Sequence, residues 1–148
     1  MKKQHQDKAM KTSPLQLNYH FFPDIKVTAN NDISLHELEN EDIDFDLNYE
    51  ANIFEHKNNP LEFRIELQID VTPVENKVCT YEVSLRCIGF FDISEDISEE
   101  KRKSIVYING ASMLYSASRE YILFVTSRGP YPPIYLPSVS FKDEGNKE

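Results

Sequence analysis

Hydrophobic and polar residues alternate with period two along four stretches of the chain, and the apolar residues take odd-numbered positions in all four. This alternation is typical of β-strands that bury one face and expose the other. Short turn-forming segments at residues 55–60 and 72–77 separate the last three stretches, which predicts antiparallel hairpins. The alternating apolar residues are Leu15, Leu17, Tyr19 and Phe21; Phe45, Leu47, Tyr49, Ala51 and Ile53; Leu61, Phe63, Ile65, Leu67, Ile69 and Val71; and Cys79, Tyr81, Val83, Leu85 and Cys87.

The first stretch and the connection after it differ from the rest. Pro23 interrupts the pattern, and Ile25 and Val27 then resume it at odd-numbered positions. Because proline removes a ladder donor, we expect this strand to lie at an edge or to be bulged. A long connection follows, from about residue 30 to 44, with an acidic run in its second half. A connection of this length either crosses the sheet as a solvated segment or acts as a binding loop.

The C-terminal third has the period of a helix. Ser98 is a good N-cap, and the two glutamates after it suit the positive end of a helix, so a short helix is predicted over residues 99–108. A break is expected near Asn109-Gly110. The main helix then runs over residues 109–128, with Gly129 as the residue after its C-cap.

The main helix is apolar on two sides. One apolar side consists of Met113, Ala117, Tyr121 and Phe124, and the other consists of Leu114, Ile122 and Val125. This is more apolar surface than packing on a single sheet requires, so the helix is predicted to lie between two layers of an oligomer. The alternative is a helix that is completely buried in a monomer.

These elements predict an α+β fold: a four-stranded antiparallel sheet with a long crossover loop and a main helix packed on one face. One domain over residues 14–141 accounts for all of them. We expect a disordered N-terminal arm at residues 1–13 and a polar C-terminal tail at residues 142–148.

Composition and charge narrow the choice of partners. The chain has 148 residues, 40% of them hydrophobic, and a formal net charge of −9. This charge argues against binding nucleic acid or anionic lipid, and it favours a basic partner surface. No apolar run is long enough to insert directly into a membrane, and no signal-peptide core follows the charged N-terminus, so a cytoplasmic protein is expected.

The even-numbered residues of the last three strands include more acidic than basic side chains. The simplest interpretation is a solvated face that keeps the sheet soluble. The alternative is a docking surface for a basic partner. The residues concerned are Asp46, Glu50, Glu62, Glu66, Asp70 and Glu82, against Arg64 and Arg86.

The residues that usually carry chemistry are scattered. The four histidines have no metal-ligand spacing, and the four glycines form no phosphate loop. Cys79 and Cys87 would lie about 26 Å apart on one strand, too far for a disulfide within it. We therefore expect a protein that is not an enzyme and that uses no cofactor or metal.

Residues 114–141 resemble a known family. Arg119-Glu120, Ser127-Arg128-Gly129 and the Pro/Leu-containing extension after them are similar to the end of the first helix and the following loop of the bacterial export chaperone SecB. The segment at residues 22–27, Phe-Pro-Asp-Ile-Lys-Val, is similar to that family's first strand. The order of strand, crossover, three hairpin-linked strands and helix also agrees.

The resemblance implies a homotetramer, a dimer of dimers with helices between the sheets. It implies an ATP-independent holdase that binds unfolded or precursor polypeptides in an apolar groove. Ordinary core or interface packing is the competing interpretation for every groove candidate. The client-groove candidates are Leu35, Leu38 and Ile43 in the crossover and Tyr131, Ile134 and Tyr135 in the extension.

The resemblance also implies that the acidic sheet face docks the SecA motor ATPase. Asp24 and Glu82 stand at positions similar to two acidic docking residues of the family, and both are on the predicted polar face. Thr28 and Thr80 depart from the family pattern. The family continues with a second helix after Phe141, and many members then carry a zinc-binding tail. Residues 142–148 carry no apolar side chain, so we expect a short member without that helix and tail, whose groove lacks one wall.

Three functions remain open from the sequence. The first is a general holdase for protein export, and the second is a SecB-like chaperone dedicated to one partner, such as an antitoxin. The third is a ligand-binding module that kept the fold without chaperone activity, because a fold alone does not determine function.

Overall fold

Four antiparallel strands form one sheet, and one helical segment covers one face of it. The structure is a computed structural model that describes residues 11–34, 38 and 43–142. Residues 1–10 of the predicted arm, Leu35 and residues 143–148 of the predicted tail lie outside the described residues. The α+β architecture predicted from the sequence is confirmed.

The strand order is β1-β4-β3-β2, in which β1 is Leu15–Ala29, β2 is Asp46–Glu55, β3 is Glu62–Thr72 and β4 is Tyr81–Ile93. The predicted hairpins joining β2, β3 and β4 are confirmed. The crossover leads from β1 at one edge of the sheet to β2 at the other. Its two ends are held by backbone hydrogen bonds, from Asn30 N to Thr80 O at 2.9 Å and from Asp44 N to Val78 O at 3.0 Å.

The predicted odd-numbered buried phase is confirmed in β3 and β4. Every odd residue of β3 is buried, and the burial of odd residues continues through β4 to Ile93, beyond the predicted end at Cys87. Gly89 lies in this additional part. A β-carbon at residue 89 would come within 2.6 Å of Leu114 Cδ2, so this glycine allows the helix to approach the sheet closely.

The predicted face for Tyr19 and Phe21 is wrong. The register of β1 against β4 shifts between Leu17 and Tyr19 and again between Phe21 and Asp24. Each shift turns the strand over, because side chains alternate between faces. Tyr19 and Phe21 therefore lie on the outer face, away from the helix, while Leu17 and Ile25 remain partly buried against the core. The bulge predicted at Pro23 is confirmed.

The helical segment is continuous. It consists of α1 at Glu99–Ile105, a π-helical turn at Val106–Gly110 and α2 at Ala111–Thr126. The break predicted near Asn109-Gly110 takes the form of the π turn, whose Gly110 packs against Ile65 and Phe91. Ser98 is the N-cap of α1, although its side chain makes no capping hydrogen bond.

The predicted end of the main helix is wrong by two residues. α2 ends at Thr126 with Ser127 as its C-cap, and no glycine has a positive φ angle among the described residues. Gly129 is therefore not the left-handed residue that follows a helix. It is required for a different reason, a close approach to Tyr81.

An irregular extension, residues 127–142, runs back along α2 and completes the second layer. It begins with a hydrogen bond from Ile134 N to Thr126 Oγ1 at 2.9 Å. It continues past Arg119, whose Nη1 lies 3.0 Å from Ser138 Oγ. Ile134, Leu136 and Phe141 of the extension are buried in the core.

Candidate functional site

A cluster of aromatic side chains lies between the edge strand β2 and the end of the extension. The ring centroid of Phe141 is 5.4 Å from that of Tyr49 and 6.1 Å from that of Tyr115. Tyr107 of the π turn lies 6.4 Å from Phe141 on another side. The four side chains come from β2, the π turn, α2 and the extension, so the cluster depends on the complete fold.

The cluster borders an open cavity of about 300 Å³ beside β2. Tyr49 is 40% exposed there, although it is on the same phase as the buried residues of its neighbour β3. It remains accessible because β2 is an edge strand and, among the described residues, no further strand pairs with it on that side. The cavity is lined by Tyr49, Glu50, Ala51, Asn52, Tyr107, Ser140, Phe141 and Lys142.

In the described part of the chain, the free edge of β2 is regular, although the strand carries three carboxylates, Asp46, Glu50 and Glu55. The strand pairs with β3 over ten consecutive positions without a register shift, and its sequence contains no proline or lysine. Natural proteins commonly protect edge strands with such residues or with bulges. In contrast, the other edge strand, β1, carries two register shifts and Pro23. An extended polypeptide can therefore add to β2 more easily than to the middle of β1.

Tyr115 fixes the position of this cluster. Its hydroxyl donates a hydrogen bond to the Pro137 carbonyl, which ties the extension to α2. Burial raises the pKa of Tyr115, with nearby Arg119 opposing the shift. The phenol therefore stays protonated and keeps its hydrogen bond well into the alkaline range.

The extension residues predicted for the client groove do not share one groove. Ile134 is buried in the core. Tyr131 is half-buried against Tyr81, and its hydroxyl donates to the Asn30 carbonyl. Tyr135 is 73% exposed and lines a separate cavity of about 390 Å³ between α2 and the extension, where Leu123 is its apolar neighbour.

The crossover residues predicted for the same groove are only partly described. Leu35 lies outside the described residues, and Leu38 is partly buried. Ile43 is exposed and forms a parallel bridge with Val78, just before β2 begins. Their assignment to a client groove stays a prediction.

The helix residues predicted for an oligomer interface divide into two groups. Leu114 is completely buried against its own sheet. Met113 and Tyr121 are exposed, and Ala117 between them is partly exposed. Phe124 extends this exposed stripe by one turn and is 58% exposed. The stripe of Met113, Ala117, Tyr121 and Phe124 is thus an apolar helix face that is only partly covered in the described chain, where the Tyr121 ring stacks on Phe22 at 4.8 Å.

The residues predicted for motor docking lie on the outer face of the sheet. Asp24 pairs in register with Arg86, and its Oδ2 lies 3.2 Å from Arg86 Nη2. Glu82 is exposed on the same face, opposite Thr28 of β1. Asp24 thus has a cationic neighbour within ion-pair distance.

The cysteines are buried and free. Burial raises the pKa of the Cys87 thiol to about 11, with the Ser118 hydroxyl opposing the shift, and burial also raises the pKa of Cys79. In the described part of the chain, no group of three or more His, Cys, Asp or Glu side chains is arranged to hold a metal ion. Across residues 11–34, 38 and 43–142, no helix has the length and apolarity needed to cross a membrane.

Comparison with known protein families shows which family the chain belongs to. The family described as preprotein translocase subunit SecB matches residues 8–143. The chain belongs to the SecB family. The resemblance found in the helix and its extension is thereby confirmed.

Similar SecB sequences come from two bacterial genera. The protein-export protein SecB of Anaplasma phagocytophilum is 33% identical over 79 residues, which cover 52% of this chain and 50% of that protein. SecB of Wolbachia pipientis wMel is 36% identical over 56 residues, which cover 36% of this chain and 34% of that protein. The matched region therefore spans about half the length of the Anaplasma relative and about a third of the Wolbachia one.

A solved structure has the same fold. It is the SecB-like chaperone Rv1957 of Mycobacterium tuberculosis in complex with a peptide from the HigA1 antitoxin. The TM-score is 0.62 at 17% sequence identity, and the match covers 86% of this chain and 92% of that one. At this identity the likeness shows the fold alone.

Sequence reasoning missed the cluster beside β2. The alternation in β2 places Tyr49 on the same face as the buried residues of β3. Its exposure follows from the position of β2 at the edge of the sheet, which the local pattern does not reveal. Phe141 was used as a family marker, and its contact with Tyr49 links residues 92 positions apart in the chain. A local pattern of hydrophobic residues cannot predict a contact between residues so far apart in the chain.

Proposed function

We propose that this chain is an ATP-independent holdase of the SecB family that binds unfolded polypeptides for protein export. The observation that carries the proposal is the regular free edge of β2 beside the aromatic cluster of Tyr49, Tyr107, Tyr115 and Phe141. Unfolded chains offer the two things that such a site binds, a free backbone and exposed apolar side chains.

The geometry suggests how a client is held. An extended client segment adds to β2 and pairs its backbone with the free edge of that strand. Because side chains alternate along a strand, every second client residue then points into the cavity beside Tyr49 and Phe141. The residues between them lie next to Glu50 and Asn52, on the outer face. Backbone pairing gives affinity without sequence specificity, which suits a chaperone with many clients.

Self-association is part of the proposal. The exposed stripe of Met113, Ala117, Tyr121 and Phe124 is an apolar face that a second copy covers in a dimer of dimers. Such packing removes the apolar stripe from water without using the β2 edge, so the client site stays open. We further propose that the protein works in the cytoplasm, where precursors are held before export.

Asp24 and Glu82 are proposed to dock the export motor SecA. Their support is their common location on an acidic face, on the side of the sheet away from α2. Replacing both by lysine is expected to weaken motor binding and leave the oligomer mass unchanged. Motor binding that persists in this variant would remove the role from these residues.

A second candidate is a chaperone dedicated to one partner. It is favoured by the shared fold with Rv1957, whose structure contains an antitoxin peptide. The two candidates use the same β2 site and differ in client range.

Co-purification from cells, combined with native mass measurement, tests the proposal. A general holdase is expected to carry many unrelated unfolded precursors on one oligomer. A dedicated chaperone is expected to carry one partner at fixed stoichiometry. If the purified protein retains no polypeptide and does not prevent aggregation of an unfolded one, the holdase function is wrong.

A further inference from the structure

Three side chains of the extension form an exposed edge. Pro132, Tyr135 and Ser138 are all exposed, at a spacing of three residues. Ile134 and Leu136, on either side of Tyr135 in the sequence, are buried in the core. A spacing of three is the period of the polyproline II helix, an extended helix with three residues per turn. The exposed residues therefore form one line along the extension, the proline–tyrosine edge.

Prolines restrict the backbone under this edge. The extension contains Pro130, Pro132, Pro133 and Pro137, and each proline ring fixes its φ angle at about −65°. The residue before a proline is also restricted, to extended conformations. Residues 132–142 accordingly form neither helix nor strand. Because the segment is extended before any partner arrives, a partner that binds extended chains loses little affinity to the ordering of this backbone.

Hydrogen bonds hold the segment in place on the rest of the domain. Ile134 N donates to Thr126 Oγ1 at 2.9 Å, and the Pro137 carbonyl accepts from the Tyr115 hydroxyl. These two contacts lie on either side of Tyr135, which is itself 73% exposed. Its ring borders the cavity of about 390 Å³ beside α2, which leaves room for a partner next to the ring. Tyr135 is thus presented to solvent on a fixed backbone.

The sequence of the edge has the order that proline-reading domains bind. A single exposed tyrosine is ordinary on a protein surface. Here, however, residues 132–135 read proline, proline, isoleucine, tyrosine. WW domains take segments with two prolines, any residue and a tyrosine, and they bind them as polyproline II helices in a groove lined by aromatic rings. The side chain that is buried in this protein's own core, Ile134, stands at the position where such a groove accepts any residue.

Charge sets this segment apart from the rest of the chain. The formal net charge of the protein is −9, yet the sequence contains no Asp or Glu from Tyr121 to Lys142. The charged residues of that stretch are two cations, Arg128 and Lys142. A groove that carries carboxylates beside its aromatic rings therefore complements the extension, and it is repelled by the acidic surface elsewhere on the protein.

We propose that the proline–tyrosine edge is a ligand for a folded partner domain that has an aromatic-lined, acidic-rimmed groove for polyproline II segments. Pro132 packs between aromatic rings of the groove, and Tyr135 is the anchor that sets specificity. This interaction goes beyond client holding, because the partner is folded. The edge also lies outside the cavity beside β2, whose nearest lining residues in the extension are Ser140 and Phe141.

Titration of a purified WW domain with the full-length protein tests the site. The probe is a WW domain with carboxylates beside its groove, and its matched control has those carboxylates replaced by lysine. The chain contains no tryptophan, so tryptophan fluorescence reports on the groove of the probe alone. The wild-type protein should change this fluorescence saturably, and an excess of a short peptide with the sequence of residues 132–135 should reverse the change. Binding to the lysine-containing probe should be weaker, because part of the attraction is electrostatic.

The variant Tyr135→Ala removes the anchor. It is expected to weaken binding of the WW domain by roughly tenfold or more, as is typical for loss of an aromatic anchor. Tyr19→Ala, at an exposed tyrosine of β1, is the matched control and should bind like wild type. A thermal melt confirms that each variant is folded. Pro132→Ser, which should also weaken binding, serves if Tyr135→Ala is not folded.

Three results would overturn the proposal. They are no binding of the WW domain by wild type, equal binding by wild type and the folded Tyr135→Ala variant, and binding that the short peptide does not reverse. A smaller native mass for Tyr135→Ala would show that a second copy covers this edge, and it would also overturn the proposal. Client holding is measured separately by suppression of aggregation of an unfolded polypeptide, so its failure leaves this test unaffected.

Discussion

Gly129 lies against the phenol group of Tyr81. A β-carbon at residue 129 would come within 2.7 Å of Tyr81 Cε1 and 2.8 Å of Cζ, closer than side chains tolerate. The Tyr81 hydroxyl accepts a hydrogen bond from Tyr131 N at 3.0 Å. It lies 3.2 Å from the Thr126 carbonyl oxygen, to which it can donate. This contact joins β4 to the start of the extension, and it gives a physical reason for the glycine in Ser127-Arg128-Gly129.

Replacing Gly129 by alanine should therefore destabilise the fold. The added methyl group displaces the Tyr81 ring, and overpacking of this kind costs about 1–3 kcal/mol. The free energy of unfolding from urea titration measures the effect. Ser127→Ala, at an exposed neighbouring position, should stay within about 0.5 kcal/mol of wild type. Equal stability of Gly129→Ala and wild type would mean that the ring moves freely.

Tyr81→Phe tests the hydroxyl without changing the ring. The Tyr131 amide and the Thr126 carbonyl lose a buried partner, which costs about 1–3 kcal/mol in unfolding free energy. Amide hydrogen exchange should also accelerate in residues 127–134, because the start of the extension is released. Tyr135→Phe is the control, since its ring is solvated, and it should change neither quantity. Unchanged exchange in Tyr81→Phe would show that the extension is held by other contacts.

The buried thiol of Cys87 predicts a pH dependence. Burial raises its pKa in the folded protein from 9.0 to about 11. The protonated thiol is therefore favoured by folding, and this contribution is fully present below pH 9 and is lost as the pH rises toward 11. Between pH 8 and 11, the melting temperature of the wild type should fall more steeply than that of Cys87→Ala. Parallel curves would show that this thiol ionises as easily in the folded chain as in the unfolded one.

The helix stripe predicts an assembly defect. Phe124→Glu places a charge in the exposed apolar face of α2, where burying it against a second copy is unfavourable. Native mass spectrometry should find a smaller assembly, while circular dichroism stays that of the folded chain. Lys101→Glu, an exposed charge change on α1, should keep the wild-type mass. A wild-type mass for Phe124→Glu would place the interface elsewhere.

The sequence predicts the sheet well where local alternation determines burial. In β3 the odd-numbered residues from Phe63 to Val71 are all buried, because β3 lies between two strands and the helical segment packs on the face that carries these side chains. In β1 the same pattern led to the wrong face for Tyr19, since a bulge between Leu17 and Tyr19 leaves no mark in residue periodicity.

The candidate sites were harder to predict because they depend on strand order and on distant contacts. Tyr49 is exposed only because β2 lies at an edge. The position of Gly129 after the helix predicts a helix cap, whereas its role comes from a close approach to Tyr81, 48 positions earlier in the chain. The acidic residues of the outer face, in contrast, could be predicted from the even-numbered positions of the strands. Which face a side chain takes within a strand does not depend on the order of the strands in the sheet.

Light scattering of an unfolded, aggregating polypeptide, without ATP, tests the central claim most directly. The wild-type protein should suppress the scattering, Tyr49→Ser should suppress it less because the cavity beside β2 loses its exposed ring, and Phe54→Ser on the outer face should act like wild type. Scattering that rises equally with and without the wild-type protein would contradict the holdase function. Full suppression by Tyr49→Ser would contradict the location of the client site at β2.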